Sequence, residues 1–359
     1  MISDLPESQH VLIGFSGGAD SSAAAAMLKE QGWSVTACYL MIGKIDDRAR
    51  ETAERTARSL GIPFITKDVS SLFERTIIKD FCGAYEKGNT PNPCVFCNPS
   101  VKFKALIGEA DRLSIPHIAT GHYARVRYGE AGRTQLLKAA NEKKDQSYML
   151  YRLSSEVLNR CLFPLGDINS KQEVRALLRK LGIAAADSPD SQDICFIEGQ
   201  NYRQFLESKD IRIQMGSFVD AQGQVLGTHQ GIHRYTPGQR KGLGISFGMP
   251  MYVISSDRET NTVLLGKESD LYKTRVWIDN MFFTDTGDVD SLPQYYADMH
   301  VEVKLRYTAH AAPATLHRAE SGAMIVFNEP QRAPAPGQSA VLYDGLQVLG
   351  GGIIAYAYA

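Results

Sequence analysis

The chain has 359 residues, 43% hydrophobic and 22% charged, with a formal net charge of −1. That length allows two or three domains with a sizeable core, and that balance excludes a global basic field, so a nucleic-acid partner needs a local patch. No apolar run approaches the roughly 20 residues that span a bilayer, and residues Met1–His10 are polar and acidic, unlike a signal peptide. Six cysteines, two of them spaced C-x-x-C, favour functional thiols in a reducing cytoplasm over a disulfide scaffold.

In chain order, Val11–Phe15 reads as a buried strand, Ser21–Gln31 as a helix stopped by Gly32, and Ser34–Leu40 as a second strand. Asp46–Leu60 reads as a charged helix with Gly61 at its end, Pro63–Lys67 as a strand, and Ser70–Tyr85 and Val101–Leu113 as helices before a short strand at His117–Thr120. This βαβα rhythm predicts an α/β fold, a doubly wound parallel sheet with helices on both faces. Ligands of such sheets bind beyond the carboxyl ends of the strands, where Ser16, Leu40 and Gly121 fall. Between the helices, Glu86–Ser100 holds three prolines and two cysteines without periodicity, and a loop of that length inside a domain is usually functional.

From about Tyr202 the character changes to short β-like runs: Phe218–Val219, Gln224–Leu226, Met251–Ile254 and Thr262–Leu265. After Lys273 come Val276–Ile278, Val301–Tyr307, Ala314–His317, Ala323–Phe327, Ala340–Tyr343 and Leu346–Leu349, the last two joined by an Asp344-Gly345 hairpin signal. The expected organisation is a catalytic domain over 1–201, a small β-rich domain over 202–272 and a C-terminal β-barrel over 273–359, a shape that often handles oligonucleotides.

The most informative stretch is Gly14-Phe15-Ser16-Gly17-Gly18-Ala19-Asp20-Ser21, where a strand feeds a glycine turn into a helix. Such a turn leaves unpaired N–H groups aimed at one spot, backed by the helix dipole, and glycines let the backbone approach an anion closely. Ser16 and Ser21 add hydroxyls for phosphate oxygens and Asp20 a carboxylate for Mg²⁺. No lysine follows the second glycine, so this is not a Walker A loop. The pattern Ser-Gly-Gly-x-Asp-Ser resembles the pyrophosphate loop of enzymes that adenylate a substrate and release pyrophosphate.

Cys94 and Cys97 sit in the proline-rich loop, and Cys195 lies far downstream within Asp190–Ile197. Cys38, Cys82 and Cys161 have apolar or helical settings and read as buried, inert thiols. Structural zinc wants four ligands, usually as two paired knuckles. One C-x-x-C pair without a partner pair leaves redox or sulfur-transfer chemistry as the stronger reading, with one thiolate acting as nucleophile and a second resolving it.

Ser16–Ser21, Asn89–Pro93, Cys97-Asn98, Val101–Lys104, Ala119–Tyr123, Lys144–Tyr148, Cys195–Ile197, His229–Gly231, Thr236–Gly244, Pro336–Ala340 and Gly350–Ile354 together resemble the bacterial tRNA-specific 2-thiouridylases, in family order. The resemblance implies that ATP, with Mg²⁺ on Asp20, adenylates the C2 carbonyl oxygen of an anticodon wobble uridine. It implies that Gly14, Phe15, Ser16, Gly17, Gly18, Ala19, Asp20 and Ser21 cradle the phosphates, with Leu40 and Gly121 on the adenine side. Cys195 would carry a persulfide sulfur from a carrier protein or cysteine desulfurase, and Cys97 would release sulfide from it or close a disulfide with Cys195. Asn92, Pro93 and Cys94 would face the splayed-out base. Lys144, Asp145, Gln146, His122, Arg306, Tyr307 and Gln338 would contact the tRNA, with Lys102, Lys104 and Arg240-Lys241 as further phosphate contacts.

Two features depart from that pattern. Cys94 stands where the best-known members have Asp, which creates a three-thiol set, Cys94, Cys97 and Cys195, suited to a [4Fe–4S] cluster with one open iron. The Met41–Asp47 segment is shorter than usual in the family. Two rival readings stand beside this one: another pyrophosphate-loop ligase or amidotransferase, and a non-catalytic iron–sulfur RNA-binding protein.

Overall fold

A computed structural model describes residues 9–43, 47–129, 133–187, 194–197, 201–209, 211, 214–245, 248–285, 298–319 and 321–359. Residues 1–8, Asp46 and the Asp190–Asp193 flank of the distal cysteine lie outside them.

The first sheet is parallel. Its strands are β1 (His10–Gly14), β2 (Ser34–Met41), β3 (Phe64–Asp68) and β4 (His117–Thr120). A hairpin of β5 (Arg125–Tyr128) and β6 (Thr134–Leu137) follows before β7 (Cys161–Leu162) completes the sheet in the order β3-β2-β1-β4-β7. Val11, Leu12 and Ile13 are all fully buried because both faces are covered. Val11 and Ile13 pack on Ala23, Ala53, Val174 and Leu178 of three helices, while Leu12 points the other way, onto Leu106 and Ala110. Each such aliphatic side chain contributes about 1.5–3 kcal/mol on burial. Ala23–Ala26, all buried, let the first helix, Ala19–Glu30, lie close on the sheet.

The proline-rich segment is more regular than expected. Cys94–Cys97 forms a helical turn that continues, through a wide π-helical turn at Asn98–Phe103, into the helix Lys104–Arg112. Pro99 explains the widening: it has no N–H, and its ring would clash with the carbonyl four residues back in an ordinary α-turn.

The second sheet is β8 (Gly216–Val219), β9 (Val225–His229), β10 (Tyr252–Asp257) and β11 (Thr262–Gly266), with β11 parallel to β8. The third comprises β12 (Tyr272–Phe283), β13 (Met299–Lys304), β14 (Ala312–Ala319), β15 (Gly322–Arg332), β16 (Ser339–Asp344) and β17 (Gln347–Tyr358). Among the described residues these six strands close into an antiparallel barrel through the β12–β17 pairing, and β6 hangs on β17 at Gln347. The expected run Val301–Tyr307 ends early: β13 stops at Lys304, and Leu305–Tyr307 leave the sheet.

The barrel is seated on the first domain by shared core. Val341, Tyr343 and Val348 pack with Leu136, Tyr148, Leu150 and Tyr151, and the Tyr148 hydroxyl donates to the Ser339 carbonyl at 2.9 Å. Cys38 and Cys161 are buried as expected, but Cys82 is only partly so, because it lies at the margin of its aromatic cluster.

Candidate active site

The phosphate loop links β1 to the first helix. Gly17 has φ +75°, and a Cβ there would lie 2.6 Å from Ala53 Cα, so glycine is required for both conformation and space. Gly18 caps the helix with no side-chain hydrogen bond, leaving its first N–H groups without that partner. The Ser16 and Ser21 hydroxyls lie 3.1 Å apart, Ser21 Oγ donates to the Gly18 carbonyl at 3.2 Å, and the Gly18 N–H donates to Ser16 Oγ at 3.4 Å. This pre-forms a polar rim on the positive end of a 12-residue helix, a geometry that binds anions.

Asp20 points into the same region and is held twice. Tyr123 donates its hydroxyl to Asp20 Oδ1 at 2.7 Å, and Lys171 donates its ammonium to the same oxygen at 2.6 Å. Lys171 escaped the sequence reading, although a signal existed. Lys171, Val174, Arg175 and Leu178 form the inward stripe of the helix Lys171–Lys180, and two cations on a core-facing stripe call for a partner. Gly121 closes the loop from above: its Cβ would fall 2.8 Å from the Ser21 nitrogen. Leu40, at the end of β2, is partly buried between two core clusters.

The thiols gather around Lys102. Cys97 is buried in a cluster with Val101 and Ile197, which the Ile194 and Phe196 side chains join from either side of Cys195. Phe196 packs edge-on against Phe73 and Phe81 at 5.4 and 5.1 Å between ring centres. Cys195 itself is exposed, so an anchored segment presents an accessible sulfur next to a buried one. Cys94, partly buried, donates its backbone N–H to Asn92 Oδ1 at 3.2 Å.

Lys102 belongs here, not on the surface. Its side chain is partly buried within electrostatic reach of Cys97, Cys195 and Cys94; burial disfavours its charge, but the three sulfurs outweigh burial and raise its pKa. Burial pushes the Cys97 thiol up to about 12, with Lys102 pulling it down and Cys195 and Cys94 adding to the rise. Cys94 is raised by burial too, again opposed by Lys102. His122 stacks on Phe103 at 6.0 Å and shares a 2.8 Å hydrogen bond between its Nδ1 and Thr120 Oγ1. Burial, reinforced by Lys102, depresses it to about 3, so it is neutral at physiological pH.

The remaining residues implied by the resemblance serve the frame as well. Asp145 is buried, with its carboxylate accepting from Ala139 N at 2.9 Å, Ser147 N at 3.2 Å and Ser147 Oγ at 2.8 Å. Gln146 Oε1 accepts from Tyr123 N at 3.0 Å, and Lys144, one residue before Asp145, is partly buried. Arg306 bridges the Pro237 and Ala333 carbonyls, and Tyr307 packs against Tyr148 at 6.2 Å. Gln338 Nε2 donates to Thr90 O at 2.8 Å, tying the barrel to the proline-rich segment below Asn92 and Pro93. Lys104, Arg240 and Lys241 are exposed. Among the described residues no group of three or more His, Cys, Asp or Glu side chains is arranged to hold a metal, and no helix is long and apolar enough to cross a membrane.

Residues 9–199 match the family described as tRNA methyl transferase HUP domain, 203–267 the tRNA methyl transferase PRC-barrel domain, and 285–354 the aminomethyltransferase beta-barrel domain. The chain is 42% identical over 360 residues to the tRNA-specific 2-thiouridylase MnmA of Acetivibrio thermocellus, covering 96% of this chain and 98% of that one. The protein of the same name from Desulforudis audaxviator is 43% identical over 350 residues, covering 97% of this chain and 98% of its own. That of Clostridioides difficile is 42% identical over 358 residues, with 96% and 97% covered. The first two descriptions speak of methyl transfer, whereas the full-length relatives are named for thiolation.

Proposed function

The chain belongs to the tRNA-specific 2-thiouridylases and is a tRNA-uridine 2-sulfurtransferase that uses ATP; we propose that it adenylates the C2 oxygen of an anticodon wobble uridine and replaces that oxygen with sulfur carried on Cys195. One observation carries this reading: three consecutive residues after β4 serve both half-sites. Gly121 abuts the phosphate loop, Tyr123 holds Asp20, and His122 feels Lys102, the cation that lies within reach of the thiols.

In the first half-reaction the C2 oxygen attacks the α-phosphorus of ATP, and pyrophosphate leaves with the electron pair. Gly14–Ser21 would hold the phosphates, with Leu40 and Gly121 toward the adenine. Mg²⁺ fits Asp20 through its second carboxylate oxygen, the first being taken by Tyr123 and Lys171; hard cations bound with phosphates need only one or two carboxylates. Bound there, the ion would neutralise phosphate charge.

In the second half-reaction the terminal sulfur of a Cys195 persulfide attacks C2, and AMP departs with the original oxygen. Cys97 then attacks Cys195 Sγ, breaking the S–S bond to release 2-thiouridine. Alternatively Cys97 first frees hydrosulfide, which attacks C2. Both routes end in a Cys97–Cys195 disulfide that an external dithiol reduces. An exposed Cys195 suits loading by a persulfide-carrying protein, and a buried, protonated Cys97 is held back until the substrate arrives. Asn92, Pro93 and Cys94 would line the base pocket, with His122, Lys144, Asp145, Gln146, Arg306, Tyr307 and Gln338 bordering the tRNA surface.

A [4Fe–4S] cluster on Cys94, Cys97 and Cys195 fits less well, because an ammonium lies among the three thiols and no metal-holding group is formed among the described residues. No step is routed through it. The test is mass spectrometry of the wobble nucleoside after reaction with wild type and Cys195→Ser, alongside tRNA-dependent pyrophosphate release. The proposal expects thiolation to vanish and pyrophosphate release to persist in the variant. Thiolation that survives removes Cys195 from the sulfur-carrying role.

A further inference from the structure

The phosphate loop carries no lysine of its own, yet the fold delivers one to it. Lys171 starts a helix whose inward stripe packs on the first helix, and its ammonium lies 2.6 Å from Asp20 Oδ1 with the side chain only 15% exposed. Burying a lysine this far is costly without a partner, and Asp20 is the partner at hand. Asp20 is also the carboxylate to which Mg²⁺ would bind, and Tyr123 can hold it without help from Lys171. Arg175, one turn along the same stripe, is also partly buried.

We propose that Lys171 is the phosphate-binding cation of this loop, paired with Asp20 before nucleotide binds and exchanged onto ATP when Mg²⁺ takes its place. This rests on the reading of Gly14–Ser21 as the ATP loop. On exchange, Asp20 passes from one cation to another, so its charge stays compensated. Lys171 then neutralises the charge that gathers on the departing pyrophosphate as the bond from the α-phosphorus breaks. The resting pair is therefore a competition: Lys171 strengthens ATP binding and weakens binding of a lone divalent ion.

The experiment measures ATP affinity by calorimetry, and Mn²⁺ affinity without nucleotide by electron paramagnetic resonance, in wild type and in Lys171→Met, Lys171→Gln and Lys171→Arg. Loss of one charge-assisted hydrogen bond predicts ATP binding about 10–100-fold weaker in the Met and Gln variants. Mn²⁺ should bind more tightly in both, because Asp20 has lost its competitor, and Arg should retain ATP binding to within a few-fold. A residue that only braces the fold would weaken both ligands together. ATP affinity unchanged in Met and Gln, or Mn²⁺ binding weakened with it, overturns the proposal. Wild type failing to bind ATP overturns the loop reading beneath it, a distinct result.

Discussion

Gly121→Ala tests the closeness of the two halves of the site. Gly121 has no left-handed conformation, so the substitution isolates space from backbone strain. The new methyl would meet Ser21 N at 2.8 Å, Asp20 C at 2.9 Å and Asp20 O at 3.1 Å. All three are backbone atoms of the first helix, so no rotamer change relieves the overlap. Overpacking of this kind costs about 1–3 kcal/mol, which lowers Tm by a few °C in a chain of this size. The remaining relief is a shift of the β4 end away from the phosphate loop, and a displacement approaching 1 Å at a reacting centre costs about 10²-fold in rate. Gly108→Ala is the internal control: a Cβ there meets nothing within 4 Å and sits in a helix, so it should stabilise by about 0.5–1 kcal/mol. Differential scanning fluorimetry with and without ATP, calorimetric ATP binding and tRNA-dependent pyrophosphate release read the effects. Wild-type Tm and ATP affinity in Gly121→Ala would refute the packing reasoning.

Cys97, raised to about 12 by burial, should make single-turnover sulfur transfer rise about tenfold per pH unit from pH 7 to 9, as its thiolate fraction does. By linkage the folded chain keeps protons on Cys97 and on Cys38, also raised to about 12 by burial, that the unfolded chain releases near pH 8.5–9. Their stabilisation is present below that pH and lost as pH climbs toward 12, which alkaline denaturant titration would show. Lys102→Met removes the cation opposing that rise and should slow sulfur transfer at pH 7 while leaving tRNA affinity and its salt slope alone. A phosphate contact would instead lower the slope by about one. Asp145→Asn weakens three charge-assisted bonds and should cost about 2 kcal/mol in urea unfolding, with the folded fraction binding tRNA normally; a selective loss of tRNA affinity would assign Asp145 to the interface.

The loop Gly14–Ser21 was legible because a strand–glycine–helix turn is a local device, written within one short stretch. The parallel sheet was legible for the same reason, since each βα unit declares itself by period and punctuation. What escaped was non-local. Lys171 meets Asp20 only because two helices pack on one face of the sheet, and Lys102 turns from a surface charge into the thiols' counter-ion only once the π-turn at Pro99 sets its direction. The β5–β6 hairpin escaped for a different reason: it is local, but each of its strands is only four residues long, too short to declare a period. The prolines around Cys94 hide its helical turn, which follows from Pro93, whose fixed φ suits a helix start.

The position of the chemistry follows from the strand order. In β3-β2-β1-β4-β7 the chain leaves β1 toward one edge of the sheet and β4 toward the other, so the connections after them diverge and open a crevice between their carboxyl ends. The phosphate loop follows β1 and Gly121–Tyr123 follows β4, so both walls of that crevice are fixed by one parallel pairing, Gly14 opposite Thr120. Beyond Thr120 the neighbours divide their duties: Gly121 and Tyr123 turn to the loop and Asp20, and His122 turns to Lys102, the cation shared with the thiols. A displacement of this turn therefore moves the nucleotide wall and the thiol wall together. It follows that Gly121→Ala, which touches no cysteine, should slow a sulfur-transfer step started from pre-adenylated tRNA as well as adenylation itself. A variant impaired only in adenylation would mean that the two walls move independently and that the β4 turn is not their common support.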